Sequence, residues 1–236
     1  HIETNSFCNR SCYFCPQSEY KISERMDDQL YTKIVNDLKD IKFNGLAGLY
    51  MRNEPLIDKK IFSRINELKE ACPDCVIYLS SNGDLIDLEK MTKLFSNGLG
   101  SLGIQAYDGY DQIVQFEKMI QDFILEYEQV IYLKHKPSNL YGGNYIWITD
   151  KSYNTSDLNE SLQFEVINRA GNVKVMDKVV KPLPLMCERP FKQLCITAAG
   201  KAVLCSSDWL TEVVVDDVRN SSLNDIWFSD KLKSYR

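Results

Sequence analysis

Imidazole is almost missing from this chain: two His, His1 and His135, among 236 residues. That scarcity excludes a His-rich zinc centre and most Ser-His-Asp arrangements, which need imidazole as ligand or general base. Long apolar runs are missing too, and none approaches the ~18 residues of a membrane span. Residues 1–6 are polar and lead straight into a cysteine cluster, so no signal peptide and a cytoplasmic location are expected. There is no basic excess: 28 Lys+Arg against 33 Asp+Glu give a net charge of −5. That balance argues against a broad electrostatic nucleic-acid binder. What remains is an ordinary globular composition, 44% apolar and 26% charged, together with eight Cys. A chain with a normal core and no secretory mark has little need of disulfides, so the thiols read as reduced and partly metal-bound.

Strand-like and helix-like runs alternate. Met26 to Asp40, Asp58 to Glu70, Leu88 to Phe95 and Gln112 to Glu128 carry apolar residues at helical spacing. Leu46 to Met51, Val76 to Leu79, Leu102 to Ala106 and Val130 to Leu133 read as strands. A strand–helix repeat of about 25–30 residues is the rhythm of βα units on a parallel sheet, with room for roughly five or six. Residues 137–162 are rich in Asn, Ser, Tyr, Gly and Asp and read as a loop or insertion. Beyond it, Val173 to Val175, Cys195 to Thr197 and Ala202 to Leu204 read as short β runs, and Ser222 to Ser234 as a terminal helix. The expected domains are 1–163 and 164–236.

Cys8, Cys12 and Cys15 have the spacing C-x3-C-x2-C, with Pro16 following. Three thiolates on one tight loop suit three corners of an iron–sulfur cubane and leave one iron open to a small molecule. A zinc knot or three unrelated core thiols are the alternatives, but structural zinc wants a fourth ligand and no His lies nearby.

Here the chain resembles the radical S-adenosylmethionine (SAM) enzymes, whose signature is C-x3-C-x-aromatic-C. The resemblance implies a partial (β/α)6 TIM-like barrel, with the three Cys holding a [4Fe–4S] cluster whose open iron is chelated by SAM. It places the family's first strand at Glu3–Phe7 and the adenine-side aromatic at Phe14. Arg52-Asn53-Glu54-Pro55 stands where the family has Gly-Gly-Glu-Pro. Glu54 would then bind the cofactor's amino group, although Arg52 and Asn53 replace the glycines. Ser80, Asn82 and Gln105 lie at strand ends and are implied as ribose or carboxylate contacts, or as plain turn residues. A reductase such as flavodoxin or ferredoxin is the implied electron donor.

Cys187 and Cys205 enclose a β pair in the pattern C-x12-G-x4-C, with Gly200 inside it. This resembles the opening of a SPASM/twitch domain, a small β-hairpin-plus-helix module holding an auxiliary [4Fe–4S] cluster. The family's following C-x2-C pair is not found before Arg236, so either the given chain lacks a tail, or the cluster is incomplete, or the domain has lost it. Cys195 is an undecided third thiol, and a Cys187–Cys205 disulfide is the plain alternative. Arg169, in Asn168-Arg169-Ala170-Gly171, is implied as a substrate contact, and His135 as a substrate acid or base. Cys72 and Cys75 read as incidental, and Gly98 to Gly103 as a helix stop with a tight turn, since that G-x-G-x-x-G follows a helix and enters a strand.

The short core with one small auxiliary domain resembles the family's aminocyclitol dehydrogenases. The implied activity is radical oxidation of a sugar-like or alcohol-bearing metabolite. A peptide maturase and a non-catalytic iron–sulfur electron carrier are the alternatives. Nucleic acid and membrane are not expected partners.

Overall fold

The computed structural model describes residues 1–141, 143–151, 172–173 and 186–236. In chain order the elements are α1 (Asp28–Asp40), β1 (Leu46–Gly48), α2 (Ile61–Ala71), β2 (Val76–Ser81), α3 (Leu88–Ser96), β3 (Ser101–Ala106), α4 (Tyr110–Glu126), β4 (Val130–Leu133), β5 (Asn144–Asp150), α5 (Arg189–Lys192), β6 (Cys195–Ile196), β7 (Lys201–Val203), β8 (Val214–Asp217), α6 (Leu223–Phe228) and α7 (Asp230–Lys233). Contacts divide the chain into two units. One comprises residues 1–41 and 51–53 with the described residues from 172 onward; the other comprises 42–50 and the described residues from 54 to 151. The expected boundary near 163 lies outside the described residues, as does all of the Val173–Val175 run but Val173. No helix among the described residues is long and apolar enough to cross a membrane.

The second unit is a five-stranded parallel sheet, a partial barrel, in the order β1-β2-β3-β5-β4. α3 opens on a cap, with Asp87 accepting from the Lys90 N–H at 2.7 Å. α3 ends on Gly98, whose φ of +99° suits a residue without Cβ. Gly100 and Gly103 then enter β3, so this glycine run is a helix stop and a strand, with no phosphate loop.

One element departs from the sequence reading. Residues 137–162 are not simply a loop, because β5 lies inside them and takes the place between β3 and β4. Burial explains the order. β5 buries Ile146, Trp147 and Ile148, whereas β4 leaves Ile131 49% exposed and suits an edge. The flanking Asn, Ser, Tyr and Gly residues hide this strand from a compositional reading.

The first unit holds α1, the antiparallel sheet β6-β7-β8 and the C-terminal helices. Asp27 caps α1 by accepting from the Leu30 N–H at 2.7 Å. α1 buries Leu30, Tyr31, Ile34, Val35 and Leu38, and its Asp37 accepts from the Leu223 N–H at the start of α6. Glu3–Phe7, expected as a first strand, forms no ladder: Ile2 and Asn5 make isolated bridges to Ile196 and Arg25, and the Glu3 and Ser6 N–H groups donate to the Ile196 and Glu24 carbonyls. The expected terminal helix is two short ones, because Ser229 is extended and caps α7 by accepting from the Leu232 N–H.

Candidate functional site

The three N-terminal cysteines sit in unit one, between the Glu3–Phe7 segment and a 3-10 turn at Pro16–Ser18. Asn5 shapes the entry by accepting from the Phe7 N–H at 2.8 Å. Cys15 N–H donates to the Cys12 carbonyl at 2.9 Å, and Ser18 donates to the Cys15 carbonyl from both N–H and Oγ. The Arg10 N–H points at Cys8 Sγ, 3.5 Å away. All three thiols are half-buried, and none of the eight cysteines is in a disulfide. Among the described residues no three Cys, His, Asp or Glu side chains already converge to metal-holding distance. The donor set still fits a cluster: three thiols within one short loop, an N–H directed at sulfur, and buried Asn5 Nδ2 and Tyr13 Oη without a hydrogen-bond partner. Phe14 packs edge-on against Tyr13, with centroids 5.5 Å apart.

Arg52, expected only as a departure from glycine, is buried in unit one. It meets Glu3 through Nε at 2.9 Å and Nη2 at 2.6 Å, and its backbone N–H donates to the same carboxylate. Its Nη1 donates to the Trp209 carbonyl at 2.7 Å and to Thr211 Oγ1 at 3.1 Å. The Ala198 N–H also donates to Glu3. A buried ion pair needs this many hydrogen bonds to offset its desolvation. Unit one also has a cavity of about 400 Å³ lined by Ile22, Glu24, Thr197, Lys201, Leu210 and Thr211 among others. It carries none of the cysteines.

In unit two Glu54 is 1% exposed. One oxygen accepts from the Leu56 N–H at 3.0 Å and from Ser81 Oγ at 2.9 Å, and the other from the Asn82 N–H at 2.7 Å. Burial, the leading effect, pushes its pKa above the usual carboxylate range despite these donors. No cation among the described residues is paired with it, so an ammonium ligand fits this carboxylate. Ser81, which the sequence reading passed over for Ser80, is its side-chain partner. Strand alternation separates the two serines: Ser81 is on the buried face of β2, while Ser80 shares the opposite face with Gln105 of β3.

The other candidates are spread out. His135 is exposed just beyond β4. Arg169 lies outside the described residues. Cys187 is exposed, Cys205 half-buried and Cys195 fully buried. Cys205 Sγ is approached by the Ser207 N–H at 3.3 Å and by Arg189 Nη1 at 3.8 Å. Burial pushes the Cys195 thiol up, and Cys205 is near enough to reinforce that shift. Cys72 and Cys75 are buried at the end of α2, and burial raises Cys75 to about 11, the setting of inert thiols.

The Radical SAM superfamily model matches residues 2–131, more than half of the chain. The SPASM model, an iron–sulfur cluster-binding domain, matches residues 187–236. The S-adenosyl-L-methionine-dependent 2-deoxy-scyllo-inosamine dehydrogenase of Niallia circulans is 25% identical over 245 residues, covering 100% of this chain and 84% of that protein. The crystal structure of BtrN in complex with AdoMet and 2-DOIA is similar at a TM-score of 0.75 and 23% identity, over 100% of this chain and 83% of that one. Streptococcus suis SuiB bound to precursor peptide SuiA is similar at a TM-score of 0.51 and 12% identity, over 99% of this chain and 65% of that one. The two structural matches are likenesses of fold.

Proposed function

This chain belongs to the radical SAM superfamily, and from that premise we propose that it oxidises an alcohol-bearing, sugar-like metabolite, an aminocyclitol in the first instance. The family's cofactors are a [4Fe–4S] cluster and SAM, and the SPASM segment adds an auxiliary iron–sulfur site. When bound, the cluster and SAM would supply one-electron chemistry able to remove a hydrogen atom from a substrate carbon.

The chain's own residues hold and orient. Cys8, Cys12 and Cys15 are the thiolates for the SAM-binding cluster. Glu54 takes the cofactor's ammonium, Phe14 lies against its adenine, and Ser80, Asn82 and Gln105 offer neutral contacts to its ribose or carboxylate. Cys187 and Cys205 would be ligands of the auxiliary cluster, which would supply a one-electron acceptor. Arg169 contacts substrate, and His135 at the exit of β4 accepts the hydroxyl proton. A flavodoxin or ferredoxin supplies the starting electron.

The observation that carries this reading is the half-buried Cys8–Cys12–Cys15 loop with an N–H aimed at sulfur. The test is anaerobic reconstitution followed by dithionite, SAM and 2-deoxy-scyllo-inosamine. Formation of 5′-deoxyadenosine with a ketone product supports it. Cleavage of SAM without oxidation of any polyol redirects the substrate class to peptides. No 5′-deoxyadenosine under any condition ends the radical reading.

A further inference from the structure

The cysteine loop of unit one is closed at its neck. Residues 3–6 lead into the loop, residues 22–26 leave it, and the two arms are hydrogen-bonded to each other. The Ser6 N–H donates to the Glu24 carbonyl and the Met26 N–H to the Thr4 carbonyl, each at 3.0 Å. Ser6 Oγ accepts from the Glu24 N–H and donates to the Ile22 carbonyl, both at 2.8 Å. Gln17, just past Cys15, donates from Nε2 to the Ser6 carbonyl at 3.4 Å. The neck therefore fixes where the loop that carries Cys8, Cys12 and Cys15 begins and ends.

Arg52 reaches both arms. Its Nη2 lies 2.6 Å from Glu3 Oε2 on the incoming arm and 3.8 Å from Glu24 Oε2 on the outgoing one. Its Nη1 extends the tie to a third segment, the Trp209 carbonyl and Thr211 Oγ1. The Trp209 indole N–H donates in turn to the Tyr20 carbonyl, near the end of the loop, at 3.3 Å. Thr211 stands at φ +60°, a conformation that a β-branched residue keeps only where its surroundings fix it. Stability alone is a poor reason for this arrangement. A buried ion pair is often replaced by apolar side chains at no loss, and Arg52 stands where the motif it resembles has glycine. A planar fork with directed bonds to three segments instead fixes their placement. Groups behind a metal ligand support it in this way.

We propose that Arg52 is a positioning residue for the cysteine loop: by pinning Glu3 and Glu24 to Trp209 and Thr211, it fixes the ends of the loop so that its thiolates retain their iron–sulfur cluster. Arg52 acts through the neck. The proposal rests on the reading of Cys8, Cys12 and Cys15 as the SAM-binding cluster's ligands and is independent of the substrate.

The test uses reconstituted, dithionite-reduced holoenzyme of wild type, R52K, E3Q/R52M and L94A. The EPR signal that changes on adding SAM reports the cluster with an open iron. Its decay under a ferrous chelator, bathophenanthroline disulfonate, reports how firmly the loop holds that cluster. Lys keeps the charge without the fork. E3Q/R52M removes both buried charges and refills the space, so its Tm should stay near wild type. L94A opens a cavity in the core of unit two and controls for lost stability alone. R52K and E3Q/R52M should lose the SAM-responsive signal about tenfold faster than wild type, the low end for removing support behind a metal ligand, while L94A decays as wild type does. Wild-type decay in E3Q/R52M, or decay in R52K no faster than in L94A, overturns the proposal. Should E3Q/R52M not fold, R52K against L94A decides in the same way. A wild type with no SAM-responsive signal ends the cluster reading and this proposal together, and is told apart from the other failures, which all require that signal.

Discussion

Burial decides what Glu54 can do. Its raised pKa means the folded chain holds the carboxyl proton more tightly than the unfolded chain. The stability this contributes is present below the ordinary carboxylate range and is lost as pH rises through the raised value. An ammonium partner offsets that loss, so SAM should raise Tm more near neutrality than in mild acid, and E54Q should abolish the difference. Equal thermal shifts at both pH values in wild type would contradict the assignment. The Glu3–Arg52 pair gives a second residue-scale prediction. R52A strands a buried carboxylate and should cost about 3–5 kcal/mol, with E3A adding little on top; denaturant melts that show additive losses would refute the coupling. The cysteine loop stands out by its spacing, and Glu54 by the resemblance that Arg52-Asn53-Glu54-Pro55 carries. The partners of Glu54 and Arg52 do not, since Ser81 stands 27 residues from Glu54, and Glu3 and Trp209 stand 49 and 157 from Arg52.

The elements most readable from sequence were those with both a cap and a period. Asp27 and Asp87 open α1 and α3, and their apolar residues recur at helical spacing. β5 escaped because only Ile146, Trp147 and Ile148 mark it within a polar stretch. The terminal helix was over-extended because Ser229 caps rather than continues it. β5's packing on β3 is testable. G103A should destabilise by about 1–3 kcal/mol through overpacking, since the new methyl meets the Trp147 ring. In a W147A background the same change should cost less. Equal penalties in both backgrounds, measured by urea unfolding, would show that the indole does not lie across Gly103.

At the scale of the whole molecule, the cysteine loop precedes the strands of the parallel sheet in sequence and the SPASM segment follows them. With both loaded, reconstituted protein should hold about eight irons, and about four once Cys187 and Cys205 are both changed to Ala. An unchanged iron count would remove those thiols from the auxiliary site. The fold class was legible because the βα rhythm spans most of the second unit, and the small second sheet because short β runs follow Cys187. Sequence proximity does not reveal that residues 1–41 share a unit with the described residues from 172 onward. The most direct test of the central claim is 5′-deoxyadenosine formed from SAM and dithionite by reconstituted wild type and by C12A. Wild type should produce it and C12A should not; production by C12A, or none by wild type, would contradict the account.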